Sequence, residues 1–133
     1  MNKWFNFNCR VKVTTLFHKE NITNKEGIKE LFNFYKPHFI INFAAESHVD
    51  NSIDNFKPFV DTNISGTINL LENARSLKNL KKFIHISTDE VYGSLELDSE
   101  NKFTEQTNYS PSSPYSASKA ASDHFVNAWR VTY

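Results

Sequence analysis

The chain has 133 residues, enough for one domain with its own core and short for a two-domain enzyme. Its 15 basic and 15 acidic side chains cancel, leaving no net field to attract nucleic acid or an anionic membrane, and no local basic patch stands out. The single cysteine, Cys9, excludes an intramolecular disulfide, no apolar run spans a membrane, and "MNKWFNFNCR" does not read as a signal peptide, so a soluble cytoplasmic protein is expected.

The first ten residues show neither helix nor strand periodicity, and a short β-prone run follows from Val11 to Phe17. In "TNKEGIKELFNFYKP", Thr23 and Glu26 have capping-box spacing, Ile28, Leu31, Phe32 and Tyr35 share a helical face, and Pro37 stops the helix. "HFIINFA" is continuously apolar, which suits a strand of a parallel sheet covered on both faces. After a loop, "AESHVDNSIDNF", the segment from about Pro58 to Leu77 places Phe59, Asn63, Ile64, Thr67, Leu70, Leu71 and Ala74 on one broad helical face. A further strand, "KKFIHIS", leads into a polar, turn-rich stretch from Leu95 to Ser113, and a helix is expected from about Pro114 to Arg130. This alternation predicts an α/β fold with a parallel sheet and right-handed crossovers, with no repeat or linker dividing it.

In an open parallel sheet, ligands bind beyond the carboxyl ends of the strands. Two strands here end in polar clusters, "AAESHVD" and "STDEVYG", at the same rim. Taken alone, Asp89 and Glu90 would more simply cap a turn or face solvent. In the last helix Tyr115 and Lys119 stand at i and i+4 on one face, and an ammonium beside a phenol favours the phenolate, the form that acts as a base. Tyr-x-x-x-Lys alone is weak, with an exposed helix pair as the simpler reading; the three clusters together are far more specific. The histidines His18, His38, His48, His85 and His124 lack metal-ligand spacing, so no metal site is expected. The sequons at Asn21, Asn63 and Asn108 read as chance matches, Gly66 as a close-packing position, and Trp4 and Trp129 as packing residues.

The blocks "NFAAESHVDNSI", "TNISGTINLLENAR", "HISTDEVYG" and "SPYSASKAASDHFVNAW" resemble, in order and spacing, those of the extended short-chain dehydrogenase/reductases, most closely the dTDP-glucose 4,6-dehydratase branch marked by its Thr-Asp-Glu triplet. The likeness runs from about Phe17 to Tyr133. It implies a partial NAD(P)-binding domain over residues 1–133, an incomplete Rossmann-like doubly wound parallel sheet in three αβα layers. It also implies that Tyr115 takes the proton of the sugar 4-hydroxyl, with Lys119 assisting it and holding the nicotinamide ribose of NAD. Thr88 would bind the 4-oxygen, Glu90 would remove the C5 proton, and Asp89 would protonate the departing 6-hydroxyl. Two neighbouring carboxyl groups in different protonation states suit that task. For the cofactor the resemblance implies Asn21, Ile22, Phe43, Ala44, Ala45, Glu46, Ser47 and Thr62, with Ser47 also touching a nucleotide-sugar substrate, dTDP-glucose first among them. Where the family usually has Asp beside the adenine, Asn21 keeps an acceptor oxygen without the charge. A homodimer through the helices at about 58–77 and 114–130 is implied as well.

The three glycines, Gly27, Gly66 and Gly93, form no glycine-rich phosphate loop, and the acidic residue for the adenosine ribose is also missing. The sequence therefore reads as the middle of such an enzyme, its strands matching the third, fourth and fifth of the order 3-2-1-4-5-6. "HFIINFA" would then be an apolar edge, the chain alone would be marginally stable, and NAD would bind it weakly or not at all. Two other readings stand beside the dehydratase: an epimerase or related reductase, which needs the Tyr and Lys but not Asp89 and Glu90, and a catalytically silent dimerisation module.

Overall fold

The computed structural model describes residues 14–96, 98 and 100–133. Residues 11–13 of the first β-prone run lie outside the described residues, as does Trp4, and Thr14–Phe17 carries no strand. Helix α1, Lys25–Tyr35, begins one residue later than the capping-box reading placed it. Its N-cap is Asn24, whose side chain accepts from the Gly27 N–H, while the hydroxyl and N–H of Thr23 both donate to Asn21 Oδ1. The helix ends on Lys36 in the left-handed conformation, its N–H bonded to the Phe32 carbonyl, and Pro37 follows.

Strand β1, Phe39–Asn42, pairs in parallel with β2, Lys82–His85, in the register Phe39 to Lys82 through Asn42 to His85. The segment between them is more helical than expected. A short helix α2, Val49–Asp54, occupies the anticipated loop. The long helix then runs without a break as α3, Lys57–Phe59, a π-helical stretch, Val60–Gly66, and α4, Thr67–Arg75. Six of the seven residues assigned to its inner face, Phe59, Asn63, Thr67, Leu70, Leu71 and Ala74, are buried, and Ile64 is half-buried. After β2 comes a 3-10 turn, Asp89–Tyr92, and finally α5, Pro114–Thr132, which opens on a full capping box between Ser113 and Ser116 with Pro114 at its first position.

The α/β class with a parallel sheet holds, in an incomplete αβα form. Side chains alternate across a strand, and one face of the sheet, carrying Asn42 and His85, is tied to the helices by Asn42–Thr67 and His85–Ser122 hydrogen bonds of 3.3 and 3.1 Å. The opposite face carries Phe39, Ile41, Ile84 and Ile86, 61%, 52%, 37% and 38% exposed. The expectation that "HFIINFA" is covered on both faces therefore fails for these residues, since the described helices pack on one side only. The interior is unusually polar: Asn42, Ser52, Asn63, Thr67, Asn69, Ser116, Ser118, Lys119 and Ser122 are buried beside a smaller set of apolar side chains. Hydrogen-bond satisfaction therefore decides the packing as much as apolar area does.

Candidate active site

The turn after β1 is tied to the helices through the Asn63 amide. Asn63, in the π-helical stretch and 1% exposed, accepts the Glu46 N–H at 2.8 Å and donates to the Glu46 carbonyl at 2.9 Å and to Ser118 Oγ at 2.8 Å. It thereby locks the turn after β1 to α5. A π-helical stretch widens the helix locally, and such stretches recur at functional sites. The Asn42 side chain reinforces the same turn by accepting the Ala44 N–H at 3.1 Å.

One wall of a cleft of about 570 Å³ is formed by this turn. Lys19, Glu20, Asn21 and Ile22 from the segment before α1, Ala44, Ala45 and Glu46 from the turn, and Thr62 from the long helix line it. Six of the eight residues that the sequence assigned to cofactor contacts outside α5 are thus brought together; Phe43, 72% exposed, and Ser47 are not among the lining. Ile22 is placed by two devices. Asn69 donates to its carbonyl at 2.7 Å, and a Cβ on Gly66 would come within 2.6 Å of its Cδ1, so the glycine permits the close approach read from the sequence. Asn21 Oδ1 is already occupied by Thr23, so the group it presents for further bonding is its amide N–H₂ rather than the acceptor oxygen expected. Ala44 and Ala45 carry nothing beyond Cβ and leave the backbone open to the cleft, a fit for a flat dinucleotide.

The second half of the site lies where β2 ends. Thr88, not either carboxylate, caps the 3-10 turn: its Oγ1 accepts the Glu90 N–H at 3.3 Å and lies 3.5 Å from Asp89 Oδ1. Asp89 is exposed and Glu90 half-buried on that turn, which packs against α5. Gly93 closes it with φ of +102°, where a Cβ would stand 2.8 Å from the Ser110 carbonyl oxygen.

Tyr115 and Lys119 are not an exposed helix pair. They are 8% and 3% exposed, the Tyr115 ring packs edge-on to Phe59, and the Tyr115 N–H donates to Ser52 Oγ at 3.1 Å. Lys119 Nζ donates to the Ile86 carbonyl at 2.5 Å, two residues before Thr88. Burial pushes the Lys119 ammonium below the usual lysine range, and Asp123 one turn on opposes that shift. Behind it, His85 receives the Asn42 amide at Nδ1, 3.2 Å, and its Nε2 faces Ser122 Oγ at 3.1 Å. Since Ser122 Oγ itself donates to the Lys119 carbonyl, Nε2 carries the imidazole proton. Burial, then the Lys119 charge, hold His85 below its ordinary pKa, with Asp123 acting the other way.

Sequence reasoning placed Asn63 on an apolar face without a role, and gave none to Ser52, Ser118 or Asp123. The available signal was Asn63 itself, a polar residue at an inward position. Among the described residues no group of His, Cys, Asp and Glu is arranged to hold a metal.

The chain is similar to known proteins. The chain matches the family model for GDP-mannose 4,6 dehydratase over residues 4–133. It is 52% identical over 126 residues to dTDP-glucose 4,6-dehydratase of Haemophilus influenzae, covering 89% of this chain and 37% of that protein. The crystal structure of DesIV, a dTDP-glucose 4,6-dehydratase from Streptomyces venezuelae with NAD and TYD bound, superposes with a TM-score of 0.78 at 38% identity, covering 86% of this chain and 34% of that one. UDP-glucose 4-epimerase of Thermus thermophilus in complex with NAD gives 0.79 at 28% identity, with 86% and 36% covered. The chain thus spans little more than a third of the relatives it matches. With the resemblance read from four sequence blocks borne out in order, identity and fold, the chain belongs to the GDP-mannose 4,6 dehydratase family.

Proposed function

We propose that this chain carries the cofactor-turn and acid–base part of an NAD-dependent lyase that converts a nucleotide-activated hexose, dTDP-glucose first, to its 4-keto-6-deoxy form. The observation that carries the reading is the burial of Tyr115 and Lys119 on α5, which packs on the turn bearing Thr88, Asp89 and Glu90, with Lys119 bonded to the strand exit just before it. NAD, when bound, takes up a hydride from the sugar C4 and returns it to C6. Its adenine side would lie along Asn21, Ile22 and Thr62, and Phe43, Ala44, Ala45, Glu46 and Ser47 would follow it toward Tyr115 and Lys119. The Tyr115 phenolate would accept the 4-hydroxyl proton while Lys119 supplies positive charge beside it, and Thr88 would hydrogen-bond the 4-oxygen. Glu90 would then take the C5 proton, acidified by the 4-keto group, and Asp89 would give a proton to the 6-oxygen, which leaves as water. When the hydride returns to C6, a proton returns to C5 and the balance closes.

An epimerase needs no elimination, and Asp89 with Glu90 would then have no task. A homodimer through the long helix and α5 is part of the proposal, supported by the exposed apolar side chains Val60, Phe125 and Val131 on those helices. We place the protein in the cytoplasm; no helix of the described residues is long and apolar enough to cross a membrane. The test is formation of 4-keto-6-deoxy sugar from dTDP-glucose and NAD, with the chain alone and mixed with polypeptides supplying the rest of a full-length relative. Product that disappears in Tyr115→Phe supports the reading; no product in either arm leaves the silent dimerisation module in its place.

A further inference from the structure

Asp123 lies one helical turn beyond Lys119 and has no part in the steps above. Its side chain is 13% exposed. Oδ2 accepts from Ser87 Oγ at 2.5 Å and from the Tyr109 hydroxyl at 3.0 Å, and Oδ1 stands 3.4 Å from His85 Nε2. Donors therefore reach it from the strand exit and from the stretch that precedes α5, and β2 places His85 beside it. Oδ2 thus accepts two hydrogen bonds, while the His85 imidazole, whose Nε2 proton goes to Ser122 Oγ, stands beside Oδ1.

The consequence is geometric. Lys119 holds the Ile86 carbonyl and Asp123 holds Ser87, so two successive turns of α5 grip two successive residues of the strand exit. Thr88 is the next residue. The far end of the 3-10 turn is braced from the same carboxylate: the Tyr109 ring packs edge-on to Tyr92 at 5.3 Å, and the Ser110 N–H donates to the Val91 carbonyl at 2.9 Å. Partial burial, followed by Asp123, raises the Tyr109 phenol to about 12, so it remains a donor throughout the neutral range.

We propose that Asp123 is a positioning residue that sets where Thr88, Asp89 and Glu90 stand relative to Tyr115 and Lys119, by tying both ends of the turn that carries them to α5. The proposal rests on the reading of that turn as the acid–base element, and its test separates the two. Hydrogen exchange is compared in the wild type, Asp123→Asn and Ser87→Ala. Asparagine keeps the shape but turns one acceptor into a donor, and Ser87→Ala removes a single bond if Asp123→Asn does not fold. Amides 87–93 should exchange about tenfold faster or more while α1 and α4 change little. Spectrophotometric titration of Asp123→Asn should also bring Tyr109 down from about 12 toward the ordinary 10.

In the protein supplemented to full length, Asp123→Asn should lower kcat by about 10- to 100-fold with KM within about twofold, and Asp123→Glu should restore part of it. Unchanged exchange at 87–93, or a uniform rise across the chain, would overturn the proposal. So would an unchanged kcat, or a loss confined to KM. If the wild type yields no product, the dehydratase reading fails, and local exchange together with the Tyr109 titration decides whether Asp123 holds the turn.

Discussion

Replacing Asn63 with alanine removes three hydrogen bonds at once, two to the Glu46 backbone and one to Ser118 Oγ. A net hydrogen bond is worth about 0.5–1.5 kcal/mol, and a buried partner left unpaired costs about 1–3 kcal/mol. Ser118 is 3% exposed but keeps its own bond to the Tyr115 carbonyl, and Glu46 is exposed, so water can take over part of the loss there. The expected destabilisation is about 2–4 kcal/mol, a large share of the roughly 5–15 kcal/mol typical of a domain. In urea unfolding followed by circular dichroism this moves the midpoint down by about 1–2 M with the slope unchanged. Asn63→Asp should cost at least as much, because it keeps the acceptor for the Glu46 N–H but sets a carboxylate against the Glu46 carbonyl. A loss below about 0.5 kcal/mol for Asn63→Ala would show that the turn after β1 does not depend on this clamp.

Other consequences are open to direct measurement. His85 has a native pKa below its unfolded value of 6.5, so unfolded chains bind the proton first; stability is full above pH 6.5 and falls as pH drops through the native pKa, a dependence that His85→Gln should flatten in acid-unfolding curves. The open sheet face predicts concentration-dependent self-association, which Ile41→Lys should reduce in sedimentation velocity; equal behaviour of the two proteins would dismiss that face as the cause. NAD should bind the chain by itself with Kd above about 1 mM in calorimetry, since its three glycines form no glycine-rich phosphate loop; micromolar binding would refute this. Gly93→Ala forces a side chain into positive φ and against the Ser110 carbonyl, and should cost more than about 1 kcal/mol in the same urea assay.

The open face also explains why apolar continuity misled. Phe39, Ile40 and Ile41 have the composition of a strand buried on both sides, yet composition reports what a strand is suited to meet, and the described helices all lie on the side of Asn42 and His85. The same limit applies to Phe43, which follows Phe39 and Ile41 by strand alternation and stands outside the cleft that Ala44 and Ala45 line.

Local order along the chain was enough to identify the parallel α/β class, the two paired strands and the long helices, because 3.6-residue periodicity and apolar runs are properties of neighbouring residues, whereas the candidates Thr88, Asp89, Glu90, Tyr115 and Lys119 came from the family resemblance of the blocks that carry them. It could not decide which polar side chains hold these candidates in place. Asn63 joins residues 17 and 55 positions away, and Asp123 joins residues 36 and 14 positions away. Such bonds exist only once strand exit, turn and helix have been folded together, and it is burial at that junction that makes a lone asparagine or aspartate a bracket for the site.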